Sequence, residues 1–176
     1  MARYAQYIIK PELYDLVFPS PDGRYAVKAS VYSFLNCGIN VSGIDYYNIK
    51  LVDCTTDSDV IVLDGFDNNI EVEWSSDSRY AAMSHGQGRY FYMTDVFNVA
   101  DANFITLPYD EIAVTISNEL GISFDNVLFY FNEWSTEDRI KIKMALGSNY
   151  IQTVNGWYIY DLVEKEIVDS EFNLDS

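Results

Sequence analysis

Histidine and cysteine are scarce in this sequence, and each scarcity narrows the possible functions. His85 is the only histidine, so a Ser-His-Asp or Cys-His catalytic arrangement could be built only around it. It lies in a Ser-His-Gly-Gln-Gly stretch that predicts a polar turn. The two cysteines, Cys37 and Cys54, fit no CxxC or metal-ligand spacing. We therefore predict reduced structural thiols, no metal site and no cofactor.

Basic residues are also few. They number 11 against 27 acidic residues, which gives a formal net charge of -16. The negative electrostatic potential from this charge repels phosphate backbones and anionic membrane surfaces, so binding to nucleic acid or to a membrane is disfavoured. The same charge favours solubility and association with a basic protein.

Long apolar runs are missing as well. No window approaches the roughly 18 apolar residues of a membrane span, and residues 1–10 contain no stretch of signal-peptide length. These observations predict a cytoplasmic protein. Apolar residues still make up 49% of the 176-residue chain and aromatic residues 16%, which favours strands and a folded single domain over residues 1–176.

A seven-residue motif occurs three times, as PSPDGRY at 19–25, WSSDSRY at 74–80 and WSTEDRI at 134–140. Each copy lies between two apolar runs of strand character, so the motif predicts a turn in which Ser and Asp side chains bond nearby backbone groups. We expect its arginines to pair with acids and to hold neighbouring units together. The structural repeat residues are Asp22, Arg24, Trp74, Asp77, Arg79, Trp134 and Arg139.

A strand that ends in aspartate follows each motif. These aspartates are Asp53, Asp95 and Asp161. The predicted strands are 13–18, 25–29, 47–53, 60–63, 70–74, 80–83, 90–95, 104–107, 127–131, 140–144, 157–161 and 166–168. Residues 109–121 differ, because apolar residues recur there at i+4 and Gly121 is a plausible stop. This segment predicts one short helix, with a strand as the alternative.

The motif and the order of the strands resemble the WD40-like, TolB-type propeller repeat over roughly residues 12–172. The resemblance implies three four-stranded antiparallel blade-like units in an all-β fold, at 19–74, 75–134 and 135–172. The last unit has three strands, so the strand at 12–18 would complete it and close a small propeller. Propellers usually have four to eight blades. A homodimer with six blades is therefore the alternative to the favoured monomer.

The predicted function is a non-catalytic module that binds a basic protein. One concrete form is an inhibitor or immunity protein that neutralises a basic toxin or nuclease. The alternatives are a small-ligand or carbohydrate-binding propeller, a structural subunit of a larger assembly, and an enzyme that uses His85. Partner contacts are predicted at acidic pairs and at strand tyrosines, namely Asp57, Asp59, Asp64, Asp67, Tyr90, Tyr92, Asp95 and Tyr158.

Overall fold

The chain forms twelve β-strands and one α-helix in a computed structural model that describes residues 13–34, 43–63, 69–86, 91–121, 123–148 and 151–174. All twelve predicted strands lie within or overlap observed strands. The elements are β1 (Leu13–Pro19), β2 (Tyr25–Phe34), β3 (Gly43–Asp53), β4 (Ser58–Leu63), β5 (Asn69–Trp74), β6 (Tyr80–Gly86), β7 (Phe91–Asn98), β8 (Asn103–Ile105), α1 (Tyr109–Leu120), β9 (Asn126–Trp134), β10 (Arg139–Ser148), β11 (Ile151–Asp161) and β12 (Glu166–Leu174).

The strands pair in chain order, and we call β1–β4, β5–β8 and β9–β12 the first, second and third units. Every neighbouring pair within a unit is antiparallel. The first unit is a separate four-stranded sheet. A short parallel pairing of β7 with β9, at Phe91 with Val127 and Tyr92 with Leu128, joins the other two units into one eight-stranded sheet.

The N-terminal strand does not close a ring, so that prediction is wrong. β1 pairs with β2 from Leu13 opposite Tyr32 to Pro19 opposite Ala26, whereas β12 pairs with β11 and ends its sheet. A tight turn brings β1 directly onto β2, and closing a short loop costs less conformational entropy than pairing the two ends of the chain. The third unit is already complete, because β9, which precedes the third motif, belongs to it.

The first two motifs form the same hydrogen-bonded turn, as predicted. Ser20 Oγ donates to Asp22 (2.6 Å) and accepts from the backbone N–H of Tyr25 (3.0 Å). Ser75 makes the same two bonds, to Asp77 and from Tyr80, at 2.8 and 3.0 Å. The backbone then requires a positive φ, which is 70° at Gly23 and 63° at Ser78.

The third turn is tighter than the other two. Its backbone bond runs from Ser135 N–H to the Arg139 carbonyl (2.9 Å), one residue earlier than the bond from Ser20 to Tyr25. Thr136 Oγ1 donates to Asp138 (2.7 Å) instead. The motif carries Glu137 where the other copies carry Asp, and this longer side chain points out towards Arg79, 4.0 Å away.

A second turn recurs between the third and fourth strands of each unit, and it corrects one predicted equivalence. Asp53 accepts the N–H of Thr55, and Asp161 accepts the N–H groups of Val163 and Glu164. In the second unit the corresponding residue is Asn98, which lies opposite Tyr80 and accepts the N–H of Asp101. Asp95 lies three residues earlier and does not belong to this turn.

The motif arginines do pair with acids, but mainly inside their own units. Arg24 lies 3.5 Å from Asp53, Arg139 lies 2.9 Å from Asp161, and Arg79 contacts Asp77. The backbone bond from Glu164 and the ion pair with Arg139 hold the pKa of Asp161 below its usual value. Among these pairs only Arg79 with Glu137 spans two units, and such exposed ion pairs contribute little stability.

The motif tryptophans link the units. Trp74 Nε1 donates to the Phe18 carbonyl (3.1 Å), and Trp134 Nε1 donates to the Glu73 carbonyl (3.3 Å). Phe18 and Glu73 are equivalent, since each immediately precedes the first residue of a motif. Each indole therefore binds the same point of the preceding unit. The first motif has Pro19 at this position, which carries no indole donor.

Two apolar cores lie on either side of the second unit. Ala81 and Met83 of β6 pack with the first unit, while Tyr80 and Ala82 pack with α1 and the third unit. Successive side chains of a strand point to opposite faces. The strand β6 therefore has two buried faces, and the second unit lies between the other two.

A candidate partner-binding groove

The predicted helix is confirmed as α1. It buries Tyr109, Ile112 and Ile116 and ends at Gly121, whose φ of 67° is left-handed. Apolar residues at i, i+3 and i+4 give a helix one face for a core. Glutamate and aspartate occupy its first turn, where the positive end of the helix dipole favours them.

The last strand, β12, is exposed along its entire length. A shift in register between Ile159 and Tyr160 places Ile167 opposite Tyr160 and Phe172 opposite Gly156. Tyr160 is buried on the core side of the sheet, so Ile167 and Phe172 belong to that side too. Both are 41% exposed. The apolar layer of the third unit thus continues onto β12 without cover.

A groove runs between this uncovered face and the helix, and we call it the α1–β12 groove. It consists of two adjoining hollows of about 530 and 220 Å³ that share Pro108, Glu111 and Ile167. The smaller hollow is the more apolar, with Ile112, Ile116 and Phe172 in its lining. An apolar groove with a few polar groups is the usual form of a binding site.

Carboxylates dominate the rim of the groove. Asp110 and Glu111 stand at the start of α1, and Glu166 stands at the start of β12. Lys165 is the one basic residue that lines the larger hollow. Three acids and one base leave this rim negative, which adds a local preference for cations to the charge of the whole chain.

The described acidic pair that was predicted as a partner contact, Asp57 and Asp59, lies outside this groove. Asp57 and Asp59 belong to the first unit, where they lie 3.8 Å from Lys28 and 3.0 Å from Lys50. Asp64, Asp67 and Tyr90 lie outside the described residues. Of the residues in this set, the structure places Asp57 and Asp59 away from the α1–β12 groove.

Tyr92 packs at the junction of the second and third units. Its ring centroid lies 4.7 Å from that of Tyr130. Burial raises the pKa of its hydroxyl to about 12. A half-buried ring held against a neighbour is more suited to packing than to capturing a partner.

Asp95 and Tyr158 are buried, so neither offers a surface to a partner. Tyr158 is fully buried in the core. One oxygen of Asp95 accepts a hydrogen bond from the Tyr109 hydroxyl (3.0 Å), and the other pairs with His85 Nε2 (2.8 Å). His85 is part of β6, not of a polar turn as predicted. The cluster His85–Asp95–Tyr109 ties β6, β7 and α1 together.

Two buried tyrosines give opposite expectations for loss of a hydroxyl. The Tyr158 hydroxyl has no hydrogen-bond partner among the described residues, so Tyr158→Phe should raise the free energy of unfolding by about 1 kcal/mol. Tyr109→Phe should lower it by about 1–2 kcal/mol, because Asp95 loses a donor. Urea denaturation measures both. Equal losses of unfolding free energy in the two variants would contradict the different hydrogen bonding of the two hydroxyl groups.

The described residues also bear on metal binding, membrane insertion and the cysteines. There, no group of three or more His, Cys, Asp or Glu side chains is arranged to hold a metal ion. No helix of that part of the chain is both long and apolar enough to cross a membrane. Cys54 is a free thiol, as predicted, and lies exposed in the turn after β3. Cys37 lies outside the described residues.

No protein-family model and no curated protein matches the chain. The geometry and charge of the α1–β12 groove are therefore the basis for a function. The sequence carried a partial signal for this site. The acids of α1 and the apolar residues after position 166 were visible, but the predicted last strand stopped at residue 168.

Proposed function

We propose that the protein is a non-catalytic module that binds a basic partner protein in the α1–β12 groove. The observation that carries this proposal is the face of β12, where Ile167 and Phe172 continue a core layer yet stay exposed. Uncovered apolar surface with a polar rim is typical of a protein interaction site. Covering it would supply the affinity, because burial of apolar area is the main favourable term in association.

The charge selects the partner. Asp110, Glu111 and Glu166 border the apolar floor, and the net charge of -16 extends this preference over the whole surface. Such a field raises the association rate of a basic protein and repels acidic ones. One concrete form of the proposal is an inhibitor or immunity protein that neutralises a basic toxin or nuclease. The exposed acids of the first unit contribute to steering in this scheme, but not to contact.

We also propose that the three units are blades of a WD40-like repeat, arranged in a row. Support comes from the repeated Ser-Asp turns and from the two tryptophans that bind equivalent carbonyl groups. The row would give a rigid scaffold for the groove at its end. Function resides in that site and not in the fold itself.

A charge placed in the groove tests the binding proposal. Ile167→Asp should weaken capture of the basic partner by at least about ten-fold, since it puts an ion where an apolar side chain must be covered. The matched control is Val62→Asp on β4, where the valine is 53% exposed and the charge change is the same. Capture from cell extract is compared for both variants over a salt series, with circular dichroism to verify folding.

The outcome supports the proposal only if three results coincide. Val62→Asp must retain capture, Ile167→Asp must lose it, and rising salt must release the captured protein. Equal capture by the two variants would show that the α1–β12 groove is not the site. Salt-insensitive capture of acidic proteins would contradict the charge argument.

A further inference from the structure

We infer that the partner binds by adding an extended strand to β12, so that it becomes a fifth strand of the third unit. This inference rests on the proposed function and specifies how the groove is filled. One edge of β12 pairs with β11, and no described strand pairs with the other. Such an edge presents N–H and C=O groups that bond to no other strand and can form a ladder with another chain.

The edge of β12 is more accessible than the other sheet edges in the described part of the chain. It is nine residues long and exposed throughout. By contrast, β4 has six residues and β8 has three. On the edge strands β1 and β5, carbonyl groups of Phe18 and Glu73 already accept tryptophan indoles.

Proteins usually protect a free edge with charged side chains, especially lysine, with proline or with a very short strand. β12 contains neither lysine nor proline. It carries Glu166, Asp169 and Glu171 instead. These acids would oppose one another if two copies paired through β12, and opposed like charges destabilise a sheet. The same acids favour a strand that carries lysine or arginine, so the occupant is a basic segment and not a second copy of this chain.

The two faces of β12 specify the pattern of the incoming strand. Ile167 and Phe172 face the groove, whereas Asp169 and Glu171 face the opposite side, across from Ile159 and Trp157. Side chains of an added strand alternate between the same two faces. Apolar residues would therefore enter the groove while basic residues meet the acids. The partner segment alternates apolar and basic residues.

Synthetic peptides test this pattern directly. A fluorescent nine-residue peptide of alternating lysine and valine matches the length of β12. A second peptide of identical composition has its lysines and valines in separate blocks. The alternating peptide should bind the wild-type chain at least about ten-fold more tightly by fluorescence anisotropy. Equal affinity for both peptides, or no binding of either, would overturn strand addition.

Backbone methylation separates strand addition from simple capture of side chains. Two versions of the alternating peptide are methylated on alternate amides, one on the odd and one on the even positions. Successive N–H groups of a strand point in opposite directions, so only one version should lose binding, by about ten-fold or more. If both versions bind equally, or both lose binding equally, the ladder does not form.

The two proposals fail differently. If Ile167→Asp loses the partner protein while the methylated peptides behave alike, the groove remains the site and strand addition is wrong. If Ile167→Asp retains the partner, the proposed function fails. Sedimentation of the wild-type chain addresses the other occupant. A dimer that Ile167→Asp dissociates would show that a second copy covers β12, and would overturn the inference of a basic strand.

Discussion

Trp134→Ala is expected to lower the free energy of unfolding by about 2–3 kcal/mol, somewhat less than the loss of a fully buried aromatic residue, because the indole is partly buried against the core. The indole lies between units. Its ring centroid is 6.3 Å from that of Tyr80 and 5.9 Å from that of Phe131, and its N–H binds the Glu73 carbonyl. The change removes the packing and leaves that carbonyl without its indole donor. Urea denaturation followed by circular dichroism measures the loss.

Trp157→Ala is the matched control. This indole donates to Glu171 within its own sheet, and the Lys141 ammonium lies 4.2 Å from its centroid. Neither contact links two units. A loss of about 1 kcal/mol is expected, because an exposed hydrogen bond and a cation–π contact each contribute little. Equal losses for Trp134 and Trp157 would show that the indole bond between units has no special role.

Local patterns determined which elements could be predicted. The Ser-Asp turns follow from side chains that bond backbone groups a few residues away, and the α1 helix follows from its i+4 apolar repeat. The partner of β1 did not follow, because a strand before a motif can pair with the strand after it or with the far end of the chain. The sequence predicts that Asp95 is equivalent to Asp53. However, β7 continues for three more residues, so Asn98 occupies the turn position that corresponds to Asp53.

The groove depends on a feature that alternation does not reveal. If the side chains of β12 alternated strictly, Ile167 and Phe172 would lie on opposite faces, because they are five positions apart. The shift in register between Ile159 and Tyr160 leaves Val168 without a partner and brings both apolar side chains to the core side. A bulge changes the face of every residue beyond it. The sequence alone therefore does not predict this site, because the site depends on the register between β11 and β12.

Gly156→Ala is expected to lower the free energy of unfolding by about 2 kcal/mol, a typical cost of overpacking, and to abolish binding in the groove. A methyl group at this position would meet the backbone carbonyl of Glu171 and would lie 2.6 Å from Phe172 Cδ1 and 3.0 Å from its Cα. The Phe172 ring could rotate away, but the backbone atoms could not. β12 must therefore move from β11, and it takes Ile167 and Phe172 out of position.

Gly121→Ala separates loss of stability from loss of the groove. It adds the same methyl group at the end of α1, where the space is empty but φ is 67°, so backbone strain should cost about 1 kcal/mol. This variant should still bind the alternating lysine-valine peptide, whereas Gly156→Ala should not bind it. The double variant Gly156→Ala, Phe172→Ala should not regain stability, because the Glu171 carbonyl still blocks the methyl group. Full recovery would mean that the ring alone determines the fit of β12.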